Sequence, residues 1–441
     1  MSTEPTKLDL FFAQEPSGTA NIGAYVNPVH QGRSLWLTVA QTLLTVTAFF
    51  SGYHEIRLSF INLTLADICF LMAFLAFLSH GMINTVPFGL MTPLWITALS
   101  LMLGGLFVSS LAYGDLSRWI AIALQYLVAF FFISIVLTAQ SYTRVQRLVL
   151  TFVFGVTTME ALGILVSLVF THGTAPAFLG AEFVAGNGRL GSFAGEANWN
   201  GMLITNALTM TYYCFSKRLA PRWLLCCVMG ILGWALLLTA SFTGFIATTL
   251  VTAFTMLLLG SRYLLRGIVL ITVAVSLFIA SGAPLPATFS KRVGGAIASG
   301  DISQAGTYVG RVELIKEAWG MSENTTILGV GADEYRNVSV MRQPVHNLYL
   351  LMFTEGGLPA FLGLIGLLGL MVAMGVQGLR QRRAEGTLVL TVVAVFLIYT
   401  MSSPHMYARF FLMPSMMALS LLFVRDDPER GMSNPSLLAR R

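Results

Sequence analysis

Apolar stretches about 20 residues long recur along almost the whole chain, and no single soluble core can bury so many of them. A helix of that length crosses the hydrocarbon core of a bilayer with its backbone hydrogen bonds made internally. Twelve such stretches can be counted, at about 34–50, 58–79, 91–112, 118–139, 147–171, 198–216, 222–240, 242–260, 263–281, 346–377, 387–402 and 405–424. Only 10% of the residues are charged and 56% are hydrophobic, whereas soluble domains carry roughly 25% charged residues. The expected fold class is all-α: a polytopic integral membrane protein of about 12 transmembrane helices, with one long and one shorter loop on the same side.

The short connections alternate in charge. One side carries Arg144, Arg147, Lys217, Arg218, Arg222, Arg262, Arg266, Arg380, Arg382 and Arg383, and both tails add more. The opposite connections hold only Arg57, Arg118, Arg189 and Arg409. An excess of Lys and Arg marks the cytoplasmic side, so both termini are expected inside and the two larger loops outside. The net charge of +6 then reads as topology bias, not as nucleic-acid binding. Residues 1–33 are polar with acids mixed in, and lack a charged segment followed by a short apolar core, which argues against a cleaved signal peptide. Cys69, Cys214, Cys226 and Cys227 all lie inside apolar runs, where packing is the simplest role.

The expected organisation is a disordered cytoplasmic tail at 1–33, nine transmembrane helices over 34–281 with a loop at about 172–197, a long outer loop at 282–345, three helices over 346–424, and a cytoplasmic tail at 425–441. Ser241-Phe242-Thr243-Gly244 is so short a break that the flanking helices should form a tight hairpin. The run 346–377 exceeds one perpendicular crossing and contains Glu355-Gly356-Gly357, so it is either strongly tilted or broken at the glycine pair. In the long loop, Val312, Ile315 and Trp319 fall on one stripe, which predicts a short amphipathic helix near Arg311–Met321 lying on the membrane or capping a cavity.

Candidate chemistry gathers on the outer side. His346 follows Pro344 and opens an apolar run, so it stands at the first turn of a helix. An imidazole there can take a proton from a hydroxyl; an interfacial histidine bonded to a loop carbonyl is the plainer alternative. Arg189 and Arg311 each follow a glycine in an outer loop, and a guanidinium fork matches phosphate oxygens. Loop salt bridges are the alternative for both. Among the intramembrane acids Asp67, Glu160 and Glu355, a structural role is expected for Glu355, which is out of phase with His346 on an unbroken helix. No Asp-X-Asp lies on the outer face, and no phosphate-binding glycine loop or metal-spaced His or Cys cluster is present. An enzyme of this composition is expected to use neither metal nor other cofactor and to draw on an already activated, lipid-soluble substrate.

The ordered set Arg311-Val312-Glu313-Leu314-Ile315-Lys316-Glu317-Ala318-Trp319, Ile327-Leu328-Gly329-Val330-Gly331, His346-Asn347-Leu348-Tyr349-Leu350 and Glu355-Gly356-Gly357-Leu358 resembles the O-antigen ligase/polymerase superfamily. Gly188-Arg189-Leu190-Gly191-Ser192-Phe193 followed by Asn198 is similar to its smaller-loop motif, and the resemblance spans roughly 185–420. It implies a glycosyltransferase of the bacterial inner membrane whose active site faces the periplasm, with an undecaprenyl-diphosphate-linked glycan as donor. The implied acceptor hydroxyl belongs to another glycan (polymerase), to the lipid A core (ligase) or to a protein side chain (O-oligosaccharyltransferase). The motif match would make Arg189 and Arg311 the grip on the diphosphate, with Asn347 a further substrate-binding residue, and His346 the group that orients or deprotonates the acceptor. Membrane lipid is an implied partner, and the resemblance leaves room for a polysaccharide chain-length regulator. The polar N-terminal tail and Asn198-Trp199-Asn200-Gly201 lean towards the O-antigen or exopolysaccharide polymerase branch.

One position departs from the family pattern. A Ser-Arg pair is common at the turn that here reads Ser241-Phe242, so a basic residue is missing and Arg336, Arg342 or Arg409 would have to replace it. The rival from another class is a transporter or flippase of lipid-linked sugars, but such proteins tend to show paired repeats and midplane sites, and neither is visible here. A non-catalytic polysaccharide-binding subunit is the third reading, and it predicts no dependence on His346.

Overall fold

The apolar runs fold as helices, and the polar residues between them act as caps. A computed structural model describes residues 35–424 apart from 59–62, scattered positions between 261 and 279, 302, 304–307, 324–325 and 405–408. The tails expected at 1–33 and 425–441 lie outside the described residues, as does most of the ninth expected span at 263–281. The membrane helices before the long loop are α1 (Leu35–Phe50), α2 (Leu65–Ser79), α3 (Thr92–Tyr113), α4 (Leu116–Leu127), α5 (Tyr142–Val169), α6 (Ala197–Lys217), α7 (Arg222–Thr239) and α8 (Phe242–Leu259). Helix α4 continues through a π-helical turn, Val128–Phe132, to Leu137. The long loop contributes α9 (Tyr308–Ser322), and α10 (Leu348–Gln381), α11 (Arg383–Thr400) and α12 (Arg409–Phe423) follow. Side chains of Asp115, Ser141, Glu196, Ser241 and Asn347 cap the N-termini of α4, α5, α6, α8 and α10 by accepting from free backbone N–H groups.

The protein is an all-α polytopic membrane protein. Among the described residues seven helices are long and apolar enough to cross a membrane, fewer than the twelve stretches counted in the sequence. Three further apolar helices, Leu35–Phe50, Leu65–Ser79 and Phe411–Phe423, are shorter. Helix α6 has 21 residues but is rich in Asn and Thr, and buries Asn200, Thr205, Asn206, Thr209 and Thr211. It lies against α5, α7, α8, α11 and α12, so its neighbours are protein side chains and its polar groups find partners there. Thr205 Oγ1, for instance, meets Thr248 Oγ1 at 2.8 Å.

Helix α10 carries the fold's main irregularity. Thirty-four residues at 1.5 Å each would reach about 50 Å, well beyond the roughly 30 Å hydrocarbon core. The chain resolves this by breaking at Gly357, which has φ 67° and ψ −169°. A break at membrane depth leaves carbonyls without helical partners, and such groups must be satisfied by protein. The long loop supplies them: Val330 N–H donates to Thr354 O and Gly331 N–H to Glu355 O, both at 2.9 Å, and Leu358 N–H donates back to Thr326 O at 2.9 Å. This explains the Gly-X-Gly motif physically, because a Cβ at Gly329 would sit 2.2 Å from the Glu355 carbonyl carbon. Glu355 is structural, as expected. Its Oε2 accepts from Asp333 N–H at 2.9 Å, and Asp333 in turn pairs with Arg118 of α4 and Arg336.

The amphipathic helix exists, but its buried stripe differs from the expected one. Leu314 and Ala318 are buried against Tyr335, Val345 and Leu351, while Trp319 is 66% exposed. Val312, Ile315 and Trp319 share a helical spacing, yet the face that meets the rest of the molecule is set by the narrow contact with the start of α10. At the end of the bundle away from this loop, Glu385 of α11 accepts from Tyr142 of α5 and Tyr213 of α6 and pairs with Lys217 at 2.6 Å, fastening the helices together there.

Candidate active site

Five connections converge at the loop end of the bundle and enclose a cavity of about 660 Å³, within the range of small-molecule sites. Its wall includes Arg189, Arg292, Arg311, His346, Glu196 and Asn198. The turn between α1 and α2 contributes His54, Glu55 and Arg57, and Phe242 and Thr243 come from the tight turn between α7 and α8. Three residues singled out in the sequence, Arg189, Arg311 and His346, are thus brought together from separate segments. The fourth, Asn347, does not line the cavity: its Oδ1 accepts from Leu350 N–H at 3.0 Å as the cap of α10.

Arg189 is placed by its loop. The bridge between Val184 and Leu190 closes a tight turn, and Asn187 Oδ1 accepts from Arg189 N–H at 3.2 Å. The side chain is only 8% exposed. Its Nε donates to Thr239 O at the end of α7, and its Nη2 to Asn198 Oδ1, each at 2.8 Å. Asn198 is held in turn by Ser241 Oγ at 3.0 Å and donates to Glu196 Oε1 at 2.7 Å. The serine of the tight turn therefore keeps a role in the site although the arginine after it is absent. Burial lowers the Arg189 pKa to about 10, with Glu196 opposing the shift and the Arg292 and Arg311 charges reinforcing it. At neutral pH the group remains a cation.

Arg311 lies near the start of α9, and burial lowers its pKa, with Glu196 again opposing. Its Nε is buried without a hydrogen-bond partner among the described residues. A buried donor left unmade is costly, so this nitrogen is a natural contact for an anion entering the cavity. Arg292 sits on the π turn Ser290–Gly294, where Val293 and the preceding Phe289 pack with Ala240 and Phe242 over the α7–α8 turn. Its pKa is lowered by burial and then by Arg311. Of the arginines offered as substitutes for the missing one, Arg336 is spent on Asp333, Arg342 is exposed away from the cavity wall, and the side chain of Arg409 lies outside the described residues. Arg292, which no sequence pattern singled out, is the arginine beside Phe242 and Thr243.

His346 Nδ1 lies 3.1 Å from Pro344 O. A carbonyl can only accept, so Nδ1 carries the proton in the neutral ring and Nε2 is the proton-accepting nitrogen. The plainer of the two sequence readings is met, since His346 bonds a loop carbonyl, and that bond fixes its tautomer. In total the wall carries four arginines, Arg57, Arg189, Arg292 and Arg311, against two glutamates, Glu55 and Glu196, an excess of two positive charges. This excess of positive charge suits an anionic ligand, and the His346 imidazole lies on the same wall.

Comparison with known proteins agrees with the resemblance read from the sequence. No curated protein matches the chain. A family model described as O-antigen ligase matches residues 227–365, a stretch that includes Arg292, Arg311 and His346 and begins downstream of Arg189. Over these residues the chain is similar to the O-antigen ligase family, which supports a glycan-transferring membrane protein of the ligase/polymerase kind.

Proposed function

We propose that this protein is a glycosyltransferase of the bacterial inner membrane that moves a glycan from undecaprenyl diphosphate to an acceptor hydroxyl at the periplasmic face. The observation that carries this reading is the convergence of Arg189, Arg292 and Arg311 with His346 on one cavity that has two surplus positive charges. A lipid diphosphate supplies the complementary charge.

In this mechanism the guanidiniums of Arg311 and Arg189 bind the diphosphate oxygens, Arg311 through the Nε that lacks a partner. The acceptor oxygen forms its bond to the anomeric carbon as the bond from that carbon to the diphosphate oxygen breaks. The electron pair leaves with undecaprenyl diphosphate, and the acceptor proton passes to His346 Nε2. Positive charge fixed beside the leaving group stabilises the charge that develops on it. Polymerase and ligase differ only in which acceptor presents the hydroxyl, and the same residues serve both.

The test is a reconstituted assay with purified lipid-linked donor. His346→Ala is expected to reduce transfer by about two to four orders of magnitude while leaving donor binding intact; full transfer by this variant would overturn the role of the base. Arg311→Ala is expected to lose donor affinity, and loss of transfer with unchanged donor binding would overturn the diphosphate grip.

A further inference from the structure

The turn between α1 and α2 brings His54, Glu55 and Arg57 to the cavity, yet the chemistry proposed above uses none of them. Resting on the reading that this cavity transfers a glycan, we infer that the turn and Trp199 form a subsite for the acceptor sugar, a neutral pyranose. Glu55 and Arg57 take its hydroxyls, and Trp199 meets its C–H face.

Glu55 is held ready for a ligand. Its backbone N–H donates to Phe193 O at 2.9 Å, which fixes the turn against the Arg189 loop. Its carboxylate lies over two glycines with positive φ, Gly195 at 84° and Gly180 at 99°. A Cβ at Gly195 would come within 2.2 Å of Glu55 Oε1, and one at Gly180 within 2.9 Å of Oε2. These glycines therefore leave room for the carboxylate at the cavity edge. Among the described residues its recorded polar partner is Arg57 at 4.0 Å, beyond hydrogen-bond distance. The carboxylate oxygens thus keep acceptor capacity for hydroxyl groups.

Arg57 is anchored at one nitrogen, with its Nη1 2.7 Å from His54 Nε2. The rest of the fork stands beside the Glu55 carboxylate, so acceptors and donors lie next to each other. Two neighbouring sugar hydroxyls, each both donor and acceptor, match that pattern. Trp199 lines the same wall and meets His54 edge to face at 5.7 Å between centroids. An amphipathic ring of this kind suits a surface that is apolar on one face and hydroxylated at its rim.

Charge separates the two halves of the cavity. Glu55 and Arg57 cancel, so this wall is neutral, and the surplus of two positive charges belongs to Arg189, Arg292 and Arg311 against Glu196. The halves meet at the first turn of α6, where Asn198 contacts Arg189 and the next residue, Trp199, contacts His54. A neutral sugar on the neutral wall is therefore one residue step from the diphosphate grip.

The test measures binding to the full chain in lipid nanodiscs. The probes are methyl glucoside, methyl galactoside and methyl mannoside, followed by saturation-transfer NMR, and undecaprenyl diphosphate measured separately. At least one pyranoside should bind saturably, and equally well when undecaprenyl diphosphate is already bound. Arg57→Ala, Glu55→Gln and Trp199→Ala should each weaken it fivefold or more, while undecaprenyl diphosphate affinity stays within twofold and serves as the folding control. The inference is overturned if no pyranoside binds, if the variants leave its binding unchanged, if undecaprenyl diphosphate displaces it, or if both ligands are lost together. Failure of undecaprenyl diphosphate to bind the wild type, with the pyranoside results as expected, would instead strike at the function proposed above and leave this subsite standing.

Discussion

Two groups of arginines stand at the same end of this molecule and are built to opposite ends. Arg118 and Arg336 both pair with Asp333, and Glu355 accepts the Asp333 N–H behind them, so both guanidiniums have a protein partner. Arg189, Arg292 and Arg311 share a cavity wall with Glu196, and two positive charges are left over. The first group closes its own account within the protein and fastens the loop to α10. The second leaves a net positive wall, which the proposed mechanism assigns to the diphosphate. Sequence position alone does not separate them, since Arg311 and Arg336 lie in the same loop. Their partners do: Arg336 pairs with Asp333, whereas the Arg311 Nε has no hydrogen-bond partner among the described residues.

The largest effect should come from the group that the second cluster serves. His346→Ala is expected to reduce transfer by about 10²–10⁴-fold in the reconstituted assay, the usual worth of a general base. His346→Gln should in addition flatten the acid limb of the pH–rate profile, because protonation at low pH removes the base only when the imidazole is present. An unchanged acid limb would assign that limb to another group.

Arg311→Ala should weaken undecaprenyl diphosphate binding about 10–100-fold, as expected for a charge-assisted bond at a buried donor. Arg292→Ala, at a more accessible position, should cost roughly threefold to tenfold, read in the same binding titration. Equal losses at both would show that the two arginines share the anion evenly. Across the comparison, Asp333→Ala strands two guanidiniums. Both reach solvent, which softens the penalty to about 1–3 kcal/mol, visible as a lower melting temperature with retained diphosphate binding in the fraction that stays folded. Loss of binding at full stability would mean that the two clusters are not separate.

The site was legible in the sequence where a residue sits at a boundary. His346 marks the step from polar loop to apolar helix, Arg189 and Arg311 follow glycines in outer loops, and the Gly-X-Gly and Glu-Gly-Gly pieces prove to be two sides of one dock. What was not legible depends on tertiary contact. Arg292 reaches the cavity because Phe289 and Val293 pack on the α7–α8 turn, some fifty residues earlier, and nothing in the Lys291-Arg292 pair announces this. The Glu55 carboxylate is placed by glycines at 180 and 195, in a different loop. On α9, periodicity identified a helix but not the side that packs, since Leu314 and Ala318 satisfy the same spacing as Ile315 and Trp319. A helix such as α6, surrounded by protein, is free to be polar, so its composition understates its place in the bundle.

The most direct test of the account is one titration of undecaprenyl diphosphate against wild type, Arg311→Ala and Arg336→Ala in the same lipid. The account predicts a loss of about tenfold or more for Arg311→Ala and affinity within twofold of wild type for Arg336→Ala. Equal losses in the two variants, or none in Arg311→Ala, would contradict the claim that the unbalanced arginines are the ones that hold the substrate.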